Sequence, residues 1–185
     1  MHTEIEAKLK VDSPKEVERK LADVGAGFCE EQFQTDTYFD DAEGSLKSSD
    51  RALRVRRQRT GRKEKTFLTY KGPKQKDDFK KRQEIEIEIG DADSAEELLS
   101  ALGYEKALVF EKRRRMWCLD ECVVSLDELP LLGGFVEIEG PEGRRIADVQ
   151  SKLGLSDLLH IVESYACLVE QKLCQLGKDQ REVFL

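Results

Sequence analysis

Nearly every extended segment of this chain carries charge on one face and aliphatic side chains on the other. The N-terminal run Glu4-Ile5-Glu6-Ala7-Lys8 sets the pattern. Successive side chains of a strand point to opposite faces, so Glu4, Glu6 and Lys8 share one face and Ile5, Ala7 and Leu9 the other. Glutamate is a poor strand former, so a strand of this composition needs a reason beyond local preference. Parallel carboxylates repel unless a cation lies between them, and a hard divalent metal with oxygen ligands is one such cation. The alternation recurs downstream. Arg54 and Arg56 oppose Leu53 and Val55, and Lys65, Thr69 and Lys71 share a face. Arg82, Glu84, Glu86 and Glu88 oppose Ile85, Ile87 and Ile89. Ser125 and Asp127 oppose Val124 and Leu126, and Glu137 and Glu139 oppose Val136 and Ile138.

Two arrangements satisfy this pattern. An open sheet would turn the charges to water and its apolar faces to helices. A closed barrel would turn the apolar faces outward under helices and line its lumen with charge. The lumen costs heavily in desolvation unless the charges find partners. A mixture of Lys and Arg with Glu and Asp supplies them: bases clamp phosphate oxygens, and carboxylates hold the metals that bridge them. The helices offer too few apolar residues for a large second core, which strains the open-sheet alternative.

The 185 residues suffice for one domain, 1–185, with its own core. Charged residues reach 37% against 39% apolar, and the net charge of −7 argues against a nucleic-acid surface built on bulk charge. The bases are nonetheless clustered, at Arg51 to Arg59 and Lys112 to Arg115. The five cysteines form no CxxC pair, the N-terminus enters the charged strand without a leader, and no apolar run spans a membrane. The expectation is a reduced, cytoplasmic protein with neither nucleic-acid nor membrane partners.

Local signals fix the expected elements. Ser13-Pro14 with Glu16 opens a helix that buries Val17, Leu21 and Val24 and ends at Gly25. A strand from Cys29 to Phe39 leads into a polar loop, 41–50. Strands over 52–58 and 65–71 join at Thr60-Gly61, and Gly72-Pro73 breaks the sheet before a charged loop over 74–81. A strand over 83–89 precedes a helix that is capped within 93–97, anchored by Leu98, Leu99 and Leu102, and stopped at Gly103. Strands over 107–119, 122–126 and 134–139 follow, the first two turning at Asp120-Glu121. Helices over 145–153 and 164–174 close the chain. Strands that follow one another directly point to an antiparallel sheet closing on itself.

Taken in order, the charged segments resemble the CYTH superfamily, the triphosphate tunnel metalloenzymes. Glu4-Ile5-Glu6-Ala7-Lys8 resembles its ExExK signature, Leu53-Arg54-Val55-Arg56 its LRxR strand and Thr69-Tyr70-Lys71-Gly72-Pro73 its TxKGP strand end. Arg82 to Glu86 resembles RxExE, Glu111 to Arg114 EKxR, Ser125-Leu126-Asp127 its acidic strand, and Phe135 to Glu139 its late ExE strand. Ser164-Tyr165 is similar to the pair opening the closing helix. The resemblance implies an α+β fold, a closed eight-stranded antiparallel barrel with helices outside. It implies Mg2+ or Mn2+ as cofactor on Glu4, Glu6, Glu137 and Glu139, with Asp127 in support. Lys8, Arg54, Arg56, Lys71, Lys112 and Arg114 would grip the triphosphate and, with Glu84, form the catalytic set. Lys65 and Arg82 join the substrate-binding set, while Glu84 and Glu86 orient bases or assist the metal. Arg113 and Arg115 occupy the opposite face of the same strand, and a bulge would exchange the roles of the two pairs. Among the family's activities the expected one is class IV adenylyl cyclase-like, ATP to cyclic AMP and pyrophosphate. Inorganic tripolyphosphatase or thiamine triphosphatase is the alternative, and a non-catalytic triphosphate or polyphosphate binder a third. The implied partner is a small triphosphate, ATP or inorganic, and analogy with relatives allows a homodimer. His160, Trp117 and Tyr38 are expected to be packing or surface residues.

Overall fold

A computed structural model describes residues 2–75 and 80–185, with the backbone alone for 2–4 and 80. The chain begins with strand β1 (His2–Lys10), helix α1 (Pro14–Asp23), strand β2 (Gly27–Asp41) and the single-turn helix α2 (Ser45–Ser48). Strands β3 (Ala52–Thr60), β4 (Lys63–Gln75) and β5 (Lys80–Ile89) form a meander that leads to helix α3 (Ala92–Ala101). Strands β6 (Tyr104–Leu119), β7 (Cys122–Leu129) and β8 (Gly133–Glu139) precede helices α4 (Gly143–Lys152) and α5 (Tyr165–Gln175) and the short strand β9 (Glu182–Val183).

Eight strands run in the order β2-β3-β4-β5-β1-β8-β7-β6, and β6 pairs back onto β2 to close an antiparallel barrel. The closing seam is long, from Gly27 opposite Cys118 to Asp41 opposite Tyr104. Closure removes the free strand edges that an open sheet would expose. β9 adds a parallel pairing to β6 at Val109 and Phe110.

The alternation resolves in favour of the barrel. Ala7 and Leu9 of β1, Val124 and Leu126 of β7, and Val136 and Ile138 of β8 point outward, beneath α1 and α4. Val17 and Leu21 of α1 and Ile146 and Val149 of α4 complete this outer core. Each such aliphatic side chain contributes about 1.5–3 kcal/mol of burial. Ser13 caps α1 by accepting the Glu16 N–H, and the Pro14 ring lies so close to β8 that a side chain at Gly134 would collide with it. A second outer cluster joins Ala92 and Leu99 of α3 to Phe39 and Val55.

The third cluster lies in the barrel mouth. Leu108 and Phe110 of β6, Leu129 of β7 and Phe135 of β8 meet Tyr165, Val169 and Leu173 of α5, so α5 stoppers one end. The long unpaired chain between α4 and α5 is pinned to β1, where the Ile161 N–H donates to the Lys8 carbonyl.

Several expectations shift. Segment 41–50 is not all loop: the Asp40 carboxylate accepts the Leu46 and Lys47 N–H groups and Asp41 accepts that of Ser45, which holds the single turn of α2. β4 runs on through Gly72-Pro73, which marks a register shift between Lys71 and Lys74 rather than a break. Residues 76–79 of the expected charged loop lie outside the described residues. The cap of α3 is Asp91, which accepts the Ser94 N–H, rather than a residue within 93–97. Leu99 alone of the three leucines expected to anchor α3 is buried; Leu98 and Leu102 face solvent, as does Val24 at the end of α1. Ile85 and Ile87 on the outside of β5 are also about half exposed, at 45% and 52%. The turn at Asp120-Glu121 forms as expected, with φ of 48° and 64° that match the twist of the flanking strands.

Candidate active site

The lumen beneath the α5 stopper is a cavity of roughly 660 Å³. Seven bases line it, Lys8, Arg54, Arg56, Lys71, Arg82, Lys112 and Arg114, with six acids, Glu6, Asp36, Glu84, Glu86, Glu137 and Glu139. Strand geometry places them there: each is the inward member of an alternation whose outward member packs under a helix or meets solvent.

The charges form a belt of alternating sign. Asp36 of β2 lies opposite Arg56 of β3 and accepts its Nε at 2.6 Å and NH2 at 2.8 Å. Arg54 NH1 reaches the same carboxylate at 3.6 Å, while its NH2 donates to Thr69 Oγ1 at 3.1 Å and lies 3.4 Å from Glu86. Thr69 donates its hydroxyl to Glu86 at 2.8 Å, and Lys71 meets Glu84 at 2.5 Å. On the far side of β2, Asp127 of β7 takes Arg114 Nε at 2.7 Å and NH2 at 2.5 Å, with Lys112 at 3.5 Å. Arg114 NH2 also meets Glu137. Lys8 then bridges Glu137 at 3.3 Å and Glu6 at 4.0 Å. Its ammonium donates to the Glu163 carbonyl at 3.0 Å and stands 4.1 Å from the centre of the Tyr165 ring, so the stopper helix covers this corner of the belt.

Burial and charge pull these groups in opposite directions. Burial favours the neutral form of Asp36, but Arg56 and Arg54 outweigh it and hold the carboxyl well below the usual range. Burial likewise opposes ionisation of Asp127, and Arg114 and Lys112 override it. For Lys112 burial wins: with Arg114 and Arg56 adding to it, against Asp127 and Glu137, the ammonium is pushed down to about 7. Burial, then the carboxylates of Asp127 and Glu137, raises the Tyr165 phenol well above its ordinary value.

Of the residues singled out from the sequence, Lys8, Arg54, Arg56, Lys71, Arg82, Glu84, Glu86, Lys112, Arg114, Glu6, Glu137 and Glu139 meet around this one cavity. Lys112 and Arg114 face inward, so β6 brings in that pair; Arg115 points out to Glu18 and Glu128. Two residues depart from expectation. Lys65 pairs with Glu88 near the rim, both about half exposed, and takes no part in the cavity wall. Asp127, expected in support of the metal set, is fully buried behind the cavity wall with both oxygens on Arg114. The Glu4 side chain lies outside the described residues. Arg82 lines the cavity, but its Nε holds the Gly72 carbonyl at 2.8 Å and its NH2 that of Asp50 at 3.0 Å, so it also clamps the β4 bulge. The sequence reading missed Asp36, whose signal lay in the inward phase of β2, and it read Tyr38 as packing only. Tyr38 does stack on Phe110, at 5.7 Å and 14°, and it also lines the cavity.

The donor set suits a hard cation. Glu6 of β1 stands opposite Glu139 of β8, and Glu137 is opposite Lys8, so three carboxylates line the β1–β8 seam. Among the described residues no three acidic, His or Cys side chains already converge on one point. All-oxygen donors of this kind are those that Mg2+ and Mn2+ take.

A closed antiparallel barrel around a cavity of paired acids and bases defines a tunnel-type barrel protein. The CYTH domain profile matches residues 2–165, and the chain belongs to that family. It is 32% identical over 149 residues to a Methanocaldococcus jannaschii protein provisionally named an adenylate cyclase, covering 80% of this chain and 81% of that one. It is 30% identical over 178 residues to adenylate cyclase CyaB of Aeromonas hydrophila, covering 85% and 89%. Among solved structures, the PH1819 protein of Pyrococcus horikoshii superposes with a TM-score of 0.79 at 31% identity over 91% of this chain and 99% of that one. A Hippeastrum protein described as having a dominant triphosphatase activity shares the fold, with a TM-score of 0.70 at 19% identity over 96% and 97%. No helix among the described residues is long and apolar enough to cross a membrane.

Proposed function

We propose that this protein is a divalent-metal-dependent enzyme acting on a triphosphate in the barrel lumen, of the class IV adenylyl cyclase-like kind, converting ATP to cyclic AMP and pyrophosphate. The observation that carries this reading is the belt: seven bases converge on one cavity with a set of carboxylates at the β1–β8 seam. A polyanion explains the bases, and a cation accompanying it explains the acids. Glu6, Glu137 and Glu139, with Glu4, would hold Mg2+ or Mn2+, which when bound withdraws charge from phosphate oxygens. Arg54, Arg56, Lys71, Lys112 and Arg114 would grip the phosphates and stabilise charge building on the leaving pyrophosphate. The sequence relatives named as adenylate cyclases support the cyclase over the hydrolase.

Hydrolysis is the second reading, because this fold carries a dominant triphosphatase activity in the Hippeastrum protein. The purified protein, incubated with Mg2+ or Mn2+ and either ATP or tripolyphosphate, decides between them by product chromatography. Cyclic AMP with pyrophosphate is the expected result. Orthophosphate from tripolyphosphate would establish the hydrolase, and binding without any product would overturn both in favour of a binder.

A further inference from the structure

A tunnel that binds a polyanion is expected to keep acids away from its deepest bases, yet Asp36 sits among them at 1% exposure. Its place is built in. Asp36 is opposite Arg56 across one edge of β2, and on the other edge the neighbouring Gln34 is opposite Lys112. One carboxylate therefore serves Arg56 through two hydrogen bonds and Arg54 through an ion pair, and it also feels Lys112. Arg56 spends its Nε–NH2 edge on Asp36, which leaves NH1 and the outer N–H of NH2 as donors for a ligand.

We infer that Asp36 is a positioning residue for the phosphate-gripping arginines, one that lowers affinity for a triphosphate while raising its turnover. Without it, Arg54, Arg56 and Lys112 would repel one another and close around an incoming anion in whatever geometry gave the tightest pairing. With it, the guanidinium planes are fixed before the substrate arrives, which favours the transition state over the ground state. The fixed negative charge opposes the polyanion in both states alike, so its cost falls on binding. This inference rests on the triphosphate reading above and adds a residue to it.

Asp36→Asn in the full chain tests it, because the amide keeps the shape and removes the charge. Binding of tripolyphosphate without divalent metal, measured by calorimetry, should tighten about three- to tenfold, while kcat on the substrate that wild type turns over falls about a hundredfold. Loss of fold alone would weaken both and lower the Tm. Asp36→Glu restores the charge but displaces the fork by a methylene. Its affinity should return to the wild-type value with kcat still low, and this variant stands in should the asparagine variant not fold. An unchanged kcat in either variant, or weaker tripolyphosphate binding by Asp36→Asn, overturns the inference and leaves the triphosphate reading standing. A wild type that turns over no triphosphate sinks that reading, whereas the calorimetric arm still reads the charge effect of Asp36 by itself.

Discussion

The two walls of the lumen use their acids differently. On the wall formed by β3, β2, β6 and β7, Asp36 and Asp127 are buried and lie side-on against arginine forks. On the wall formed by β4, β5, β1 and β8, Glu84 meets the ammonium of Lys71 and Glu6 and Glu137 that of Lys8; Glu137 and Glu86 also touch Arg114 and Arg54, each through one NH2 rather than a side-on fork, and Glu139 is exposed. A guanidinium offers a planar fork that locks onto a carboxylate through two bonds, whereas an ammonium is a compact point charge. Acids locked to forks fix the positions of bases. Acids that face an ammonium sit where the proposed metal cation would replace it. The sequence shows the same residue types on both walls, and the pairing partner separates their roles.

The largest expected contrast is in stability. Asp127→Ala takes from Arg114 and Lys112 their shared, fully buried counter-ion and leaves Glu137 to serve both, and chemical denaturation should show a loss of about 3–5 kcal/mol. Glu139→Gln on the other wall should change stability by no more than about 0.5 kcal/mol. Equal losses in the two variants would erase the distinction between the walls.

Turnover reverses the order. Glu6→Gln removes a proposed metal carboxylate while Lys8 keeps Glu137 and the Glu163 carbonyl, so the fold should survive. Activity should fall roughly a thousandfold, about 4 kcal/mol in the barrier, with the Mg2+ or Mn2+ dependence weakened. Turnover within tenfold of wild type would remove the metal role from this wall.

A pH titration separates the walls more finely. Lys112 titrates at about 7 in the free protein, so it carries its charge below that pH and loses it above. A bound polyanion favours the charged form, so affinity for tripolyphosphate should decline as pH rises through 7, by about tenfold in all, the size expected for losing one base of the belt. Lys112→Met should flatten that decline. For folding the sign is opposite: between about 7 and 10.5 the unfolded lysine holds more proton than the folded one, so stability rises with pH across that window. Affinity that is level from pH 6 to 9 in wild type would show that Lys112 stays charged in the lumen.

How much of this was legible beforehand follows from the physics of each signal. Period-two alternation marked the inward faces of β1, β3, β5, β7 and β8, because a strand needs no tertiary information to choose its two sides. Whether those faces met water or a lumen needed the seam between β2 and β6, a pairing between distant segments that no local pattern encodes. Asp36 was hidden for that reason: its meaning depends on Arg56 opposite it on β3 and Lys112 diagonal to it on β6. The same holds for Leu98 and Leu102, apolar at helical spacing yet exposed because α3 covers the barrel with Ala92, Ala95 and Leu99. Asp127 and Glu137 both alternate inward in sequence, and only the geometry shows that Asp127 takes the Arg114 fork with both oxygens while Glu137 takes one NH2 and the Lys8 ammonium.

Lys65 is the smallest test and the one that bounds the site. It shares the strand face of Thr69 and Lys71, and by phase alone it belongs with the bases proposed to bind phosphate. Its ammonium instead lies 2.8 Å from Glu88, with 52% and 53% of the two side chains exposed. Such a surface pair is worth about 0.2–1 kcal/mol at most, and salt screens it further. Lys65→Ala should therefore shift stability by less than about 1 kcal/mol and change affinity for tripolyphosphate by less than about twofold in 150 mM salt. Lys71→Ala, further along the same strand in the cavity wall and paired with Glu84, should weaken the same affinity about tenfold. If the two variants lose affinity equally, the phosphate-binding wall extends to the rim, and the face pattern of β4 alone, rather than burial, decides which bases serve the ligand.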